Sequence, residues 1–136
     1  EFVADDGRRI HSFPDHHYEN GVKKNDDTSR AYKAVVRILK NARNEMVENN
    51  IIIKDAIPSF FLECLVWNTP IWYFNKDSYR EITRSVALNI WSDMKKAEKS
   101  NDYAEVSDLM WLFRGQAART PKQAEDFMLS AWSYLE

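Results

Sequence analysis

Apolar residues recur at helical spacing along most of this chain. The recurrence is clearest from Thr28 to about Asn49, where Tyr32, Val35, Val36, Leu39, Ala42 and Met46 fall on one face. Asp27 or Thr28 is positioned to cap the first amides of that helix. Ile51-Ile52-Ile53 follows as a short apolar linker or strand. Pro58 then opens a second helix, Ser59 to about Trp67, which is apolar nearly all round and is therefore expected to be buried; Asn68-Thr69-Pro70 stops it. A third helix is predicted from about Asp77 to Lys99, with Tyr79, Ile82, Val86, Ile90, Met94 and Ala97 on one side. Ser107 is read as the cap of a shorter helix ending at Gly115. The last helix has Thr120 as cap, Pro121 at its first position and Gln123 three residues after the cap, and it turns Phe127, Met128, Ala131, Trp132 and Leu135 inward.

The first 27 residues read differently. Asp6-Gly7 is a tight-turn dipeptide between Phe2-Val3 and Ile10, which predicts a β-hairpin over residues 1 to 13. Residues 14 to 27 carry Pro14, Gly21, two Asn and Asp residues and have the composition of a long connecting loop. The expected architecture is mainly α: a compact helical domain over 28–136, preceded over 1–27 by a hairpin remnant and loop belonging to the end of another unit. A two-stranded hairpin is marginal alone and is normally the edge of a larger sheet. With no initiator Met, the chain is expected to continue on its N-terminal side.

Composition agrees with helices. Five Trp, six Tyr and seven Phe stand against only three Gly and four Pro among 136 residues, too few turn formers for an all-β chain. The single cysteine, Cys64, cannot form an internal disulfide and reads as a small buried apolar residue, consistent with a reduced, cytoplasmic setting. No run of about 18 apolar residues suggests a membrane span, and no basic-then-apolar start suggests a signal peptide.

Charge sharpens the picture. The net charge is −2, yet residues 22 to 44 hold seven Lys or Arg against two Asp, a local +5. A basic face in an acidic chain favours a focused anion site over a broad nucleic-acid surface, so direct nucleic-acid binding is not expected. Arg30, Lys33, Arg37 and Lys40, spaced 3, 4 and 3, share one side of the long helix. They form either a solvated face partly balanced by Glu45 and Glu48, or a site for a triphosphate. Ser59-Phe60-Phe61 begins the buried helix, where free amides favour an anion and an aromatic ring can stack on a base; the plainer reading is a cap followed by core residues. His11, His16 and His17 lack zinc spacing and have only Asp15 as an adjacent carboxylate, so no metal site is expected there.

Several segments resemble one family. They are His17-Tyr18-Glu19-Asn20-Gly21-Val22-Lys23-Lys24-Asn25, Thr28, Tyr32-Lys33, Val36-Arg37-Ile38-Leu39-Lys40, Ile57-Pro58-Ser59-Phe60, Leu62-Glu63 and, later, Tyr103-Ala104-Glu105-Val106, Leu112-Phe113-Arg114 and Phe127-Met128-Leu129-Ser130-Ala131-Trp132. Their order and spacing over nearly the whole chain are similar to the bacterial cyclic-oligonucleotide synthases of anti-phage defence, relatives of oligoadenylate synthase and cyclic GMP-AMP synthase. The resemblance implies a two-lobed enzyme. An N-terminal polymerase-beta-like lobe carries a Gly-Ser turn and three carboxylates for Mg²⁺, and a C-terminal helical lobe closes a cleft on nucleoside triphosphates. This chain has no Gly-Ser dipeptide and no Asp-x-Asp pair, so it corresponds to the helical lobe and is expected to be inactive without the catalytic one.

By the same resemblance, Lys40 matches the lysine that reaches the triphosphate, and Ser59 with Phe60 matches the pair that contacts phosphate or sugar and stacks on the base. Lys24, Asn25, Arg37 and Lys33 are further candidates that could equally tie the loop to the helix, and Glu63 could be the buried partner of one of these cations. The expected partners are the nucleotide substrate and the absent lobe, with no membrane. The competing reading is a non-enzymatic helical interaction module, docking partners through an aromatic surface around Trp72, Tyr73, Phe74 and Trp111.

Overall fold

The computed structural model describes residues 14–114 and 119–136. The expected hairpin over residues 1–13 lies outside them. The elements are α1 (Pro14–Asp27), α2 (Ala31–Glu48), α3 (Ser59–Trp67), a 3₁₀ turn (Ile71–Phe74), α4 (Tyr79–Met94), the short α5 (Ala97–Ser100) and α6 (Pro121–Tyr134). Among the described residues the sole β pairing is an isolated antiparallel bridge between Ala104 and Trp111.

The core forms where α2, α3, α4 and α6 meet. The periodic residues of α2 are buried as expected, with Val35, Leu39 and Met46 fully enclosed. They pack with Leu62, Leu65 and Val66 of α3, Val86 and Ile90 of α4, and Met128 and Ala131 of α6. Burial of one such side chain contributes about 1.5–3 kcal/mol. Helix α6 starts as its sequence predicts: Thr120 accepts from the Gln123 amide while the Gln123 side chain accepts from the Thr120 amide.

Three expectations are corrected. Residues 14 to 27 are a helix, not a loop. Helix α1 buries none of its residues, so a search for apolar periodicity has nothing to register. It is stabilised instead by Pro14 in its first turn, Asp15 and Lys24 at the ends that suit the helix dipole, and polar anchors to the body. Asn20 Nδ2 donates to the Val106 carbonyl at 2.8 Å, and Lys24 donates to the Thr69 carbonyl. Between α1 and α2 the chain turns through Ser29 and Arg30, both left-handed with φ of 54° and 72°. The Thr28 hydroxyl accepts from the Tyr32 amide at 2.9 Å, and the Asn25 side-chain oxygen accepts from the Lys33 amide at 3.0 Å. Thr28 therefore caps α2, whereas Asp27 pairs with Lys23.

The long helix expected to run to Lys99 ends at Met94. Lys96 is extended, and the turn lets Tyr103 enter the core with its hydroxyl donating to Asp93 Oδ2 at 2.8 Å. The helix expected from Ser107 is absent through residue 114, and Gly115 lies outside the described residues. Asp108 is left-handed at φ 60°, the Leu109 amide bonds the Ser107 hydroxyl, and the Glu105 amide bonds the Met110 carbonyl at 2.9 Å. Serine and aspartate can satisfy a turn as readily as a helix start, and here the turn prevails.

Candidate functional site

The face of α2 opposite the core carries Lys33, Arg37, Lys40 and Arg43 at intervals of one helical turn. Together with His17, Tyr18 and Gly21 of α1 and Glu63 of α3, they line a cleft of about 520 Å³. Gly21 leaves open space there, since a Cβ at that position would meet nothing within 4 Å. Arg30, the first cation of the predicted stripe, sits in the turn before α2 and does not line the cleft.

Among the described residues four cations thus face a single carboxylate. Lys40 Nζ lies 3.1 Å from Glu63 Oε2, and His17 Nε2 lies 3.2 Å from Glu63 Oε1. The Tyr32 hydroxyl donates to the Glu63 carbonyl at 3.1 Å. Burial, and then the Glu63 charge, push the Tyr32 phenol well above its usual range, so it stays neutral and keeps its proton for that bond. Among the described residues the side chains of Lys33 and Arg37 have no hydrogen-bond or ion-pair partner. Like charges one helical turn apart repel, so this wall is positive and uncompensated toward the open side of the cleft.

Ser59 lies in an adjoining cavity of about 340 Å³, and Arg43 and Asn44 line both spaces. The Ser59 hydroxyl accepts from Arg43 Nη1 at 3.1 Å, so Arg43 links the basic wall to the start of α3. Phe60 is 43% exposed, not enclosed as an apolar-all-round helix implied. Its ring stacks on His17 with centroids 5.4 Å apart and planes 25° apart.

Lys24 and Asn25 line neither space. Lys24 is half-buried, with its ammonium 5.6 Å from the Phe74 ring centre, and burial lowers its pKa while Asp27 partly restores it. Asn25 serves the Lys33 amide. Of the aromatic surface expected around Trp72, only part exists. Trp72 is exposed and Trp111 stays half-exposed with the Arg114 guanidinium 3.7 Å from its ring centre, but Phe74 belongs to the core because the 3₁₀ turn rotates it inward.

Sequence reasoning missed Arg43 and the His17–Glu63 contact. Arg43 stands three residues after Lys40 and could have been read as the next member of the stripe. His17 could not, because its contact depends on α1 being helical.

The sequence model described as the cGAS/DncV-like nucleotidyltransferase C-terminal helical domain matches residues 19–136. A cyclic dipurine nucleotide synthase from Elizabethkingia meningoseptica is 41% identical over 135 residues, covering 99% of this chain and 45% of the relative. A cyclic dipyrimidine nucleotide synthase from Cecembia lonarensis is 32% identical, covering 100% of this chain and 46% of the relative. The structure of the Elizabethkingia meningoseptica CdnE cyclic dinucleotide synthase with GTP and Apcpp superposes with a TM-score of 0.86 at 41% identity, over 98% of this chain and 48% of that one. The chain therefore spans just under half the length of these relatives.

Proposed function

The chain belongs to the cGAS/DncV-like nucleotidyltransferase C-terminal helical domains, and from that premise we propose that it forms the helical wall of a nucleotide cleft in an enzyme that joins nucleoside triphosphates into cyclic or linear oligonucleotide signals. A ribose hydroxyl attacks the α-phosphorus, the new phosphodiester forms as pyrophosphate departs, and the hydroxyl proton passes to a base of the catalytic lobe. Lys33, Arg37 and Lys40 clamp the triphosphate, drawing charge toward the departing pyrophosphate. Phe60, which lines neither cavity but stacks on His17 of the cleft, offers an exposed ring for a base, and Arg43 holds Ser59 in the adjoining cavity. The setting that goes with this reading is anti-phage signalling in the cytoplasm.

Among the described residues no group of three or more His, Cys, Asp or Glu side chains can hold a metal ion. In this reading the Mg²⁺ implied by the family is held by the catalytic lobe, and this chain's residues act on the phosphates. Among the described residues no helix is long and apolar enough to cross a membrane.

The observation that carries the proposal is the charge of the cleft, where four cations face one carboxylate. The test uses the full-length protein bearing this domain, supplied with Mg²⁺ and mixtures of ATP, GTP, CTP and UTP. ATP with GTP comes first, because the 41% identical relative is named for dipurine products. Product is expected in at least one mixture. Arg37→Ala, which removes a charge-assisted contact of about 1.5–3 kcal/mol, is expected to lower kcat/KM roughly ten- to hundredfold. No product from any mixture, or an Arg37→Ala enzyme equal to wild type, would overturn the reading.

A further inference from the structure

We infer that Glu63 is a positioning residue for Lys40, fixing the point at which its ammonium meets the phosphates; this rests on the nucleotide reading above. Three helices converge on this one side chain. Helix α2 supplies Lys40 Nζ at 3.1 Å from Oε2, helix α1 supplies His17 Nε2 at 3.2 Å from Oε1, and Glu63 itself stands on α3. With each oxygen engaged by a different helix, the carboxylate cannot rotate to follow a wandering lysine. Its main chain is tied as well, through the bond from the Tyr32 hydroxyl to the Glu63 carbonyl at 3.1 Å. Tyr32 is a core residue of α2, so the tie is to the rigid body of the domain.

A lysine is a point charge on a flexible four-carbon stem, and its ammonium has three donors. One donor is committed to Glu63, which leaves two for phosphate oxygens. Lys33 and Arg37, without such a partner among the described residues, supply charge but no fixed position. Among the described residues Glu63 is also the sole carboxylate lining the cleft, so it repels the triphosphate that Lys40 attracts. These two effects act on different kinetic constants. Removing the charge of Glu63 strengthens ground-state binding of the triphosphate, while releasing Lys40 lowers the rate of the bound complex.

The experiment measures kcat and KM for Mg·ATP in the full-length enzyme, together with the unfolding midpoint, for Glu63→Gln, Lys40→Met and the double variant. Glu63→Gln is expected to lower kcat about tenfold and lower KM severalfold. In the Lys40→Met background, Glu63→Gln is expected to leave kcat unchanged, because the group through which it acts is gone. A merely structural role instead raises KM and lowers the unfolding midpoint. Should Glu63→Gln fail to fold, Glu63→Asp, which keeps the charge and retracts it by one methylene, is expected to lower kcat without lowering KM. The inference is overturned if Lys40→Met is impaired while the Glu63 variants match wild type, or if the two losses in kcat multiply. If Lys40→Met itself is fully active, the assignment of Lys40 to the phosphates fails first.

Discussion

Arg43 of α2 donates from Nη1 to two acceptors at the start of α3, the Ile57 carbonyl at 2.9 Å and the Ser59 hydroxyl at 3.1 Å. Ile57 is buried at 1% exposure, so removing the guanidinium takes a charged partner from a carbonyl with little access to water. Arg43→Ala is expected to destabilise the fold by about 1–3 kcal/mol, read from urea unfolding. Ser59→Ala, which leaves the Ile57 bond in place, is expected to cost about 0.5–1.5 kcal/mol. Equal losses for the two variants would show that the Ile57 bond contributes nothing. Arg43→Ala is also expected to weaken nucleotide binding, since it removes one of the four cations of the cleft.

Gly21 lies within α1, and a Cβ added there meets no atom within 4 Å. Its backbone pays the entropic cost of glycine in a helix without a steric reason for it. Gly21→Ala is therefore expected to raise stability by about 0.5–1 kcal/mol, seen as a higher urea midpoint. If residues 14 to 27 were the loop that their composition suggests, the same change would be neutral or harmful. The substitution thus separates the two descriptions of this segment directly.

That contrast shows what the sequence could and could not disclose. The start of α3 and the cap of α6 were legible because each is set by local chemistry, Pro58 at the cap position in one case and a reciprocal Thr120–Gln123 box in the other. The core face of α2 was legible because burial imposes a period. Helix α1 was not, because polar bonds from Asn20 and Lys24 to carbonyls 86 and 45 residues away hold it, and no local pattern encodes such partners. The site divided along the same line. Lys33, Arg37 and Lys40 share a helix face and were visible as a stripe, whereas the meeting of His17, Lys40 and Glu63 needs three helices in place.

Glu105 gives a pH dependence with a definite sign. It is partly buried beside the α1 face, and desolvation raises its carboxyl above the ordinary value of 4.5, with His17 pulling partly the other way. The folded state then holds this proton more tightly than the unfolded chain does. The contribution is fully present below the unfolded carboxyl pKa and is lost as pH rises through the folded one. Glu105→Gln is expected to flatten the stability profile over that window and to be the more stable form at neutral pH. Unfolding midpoints of both proteins, taken from pH 4.5 upward, check it; a Glu105→Gln profile parallel to wild type throughout would contradict the assignment.

Cys64 is the one thiol of the chain and is fully buried in α3. Burial pushes its pKa up to about 12, against a smaller opposing effect of the Val106 backbone. Thiolate is the reactive form, so at neutral pH the group is protected twice, by exclusion of reagent and by protonation. Its modification by a disulfide reagent should therefore follow unfolding, with a rate that rises with urea in parallel with loss of helix signal. Raising the pH to 9 in the native state should leave it nearly unmodified, whereas an ordinary exposed thiol would react within the mixing time. Rapid native-state labelling would mean that α3 detaches from the core without global unfolding. The start of that helix carries Ser59, Phe60 and Glu63, so such detachment would also dismantle the cleft wall.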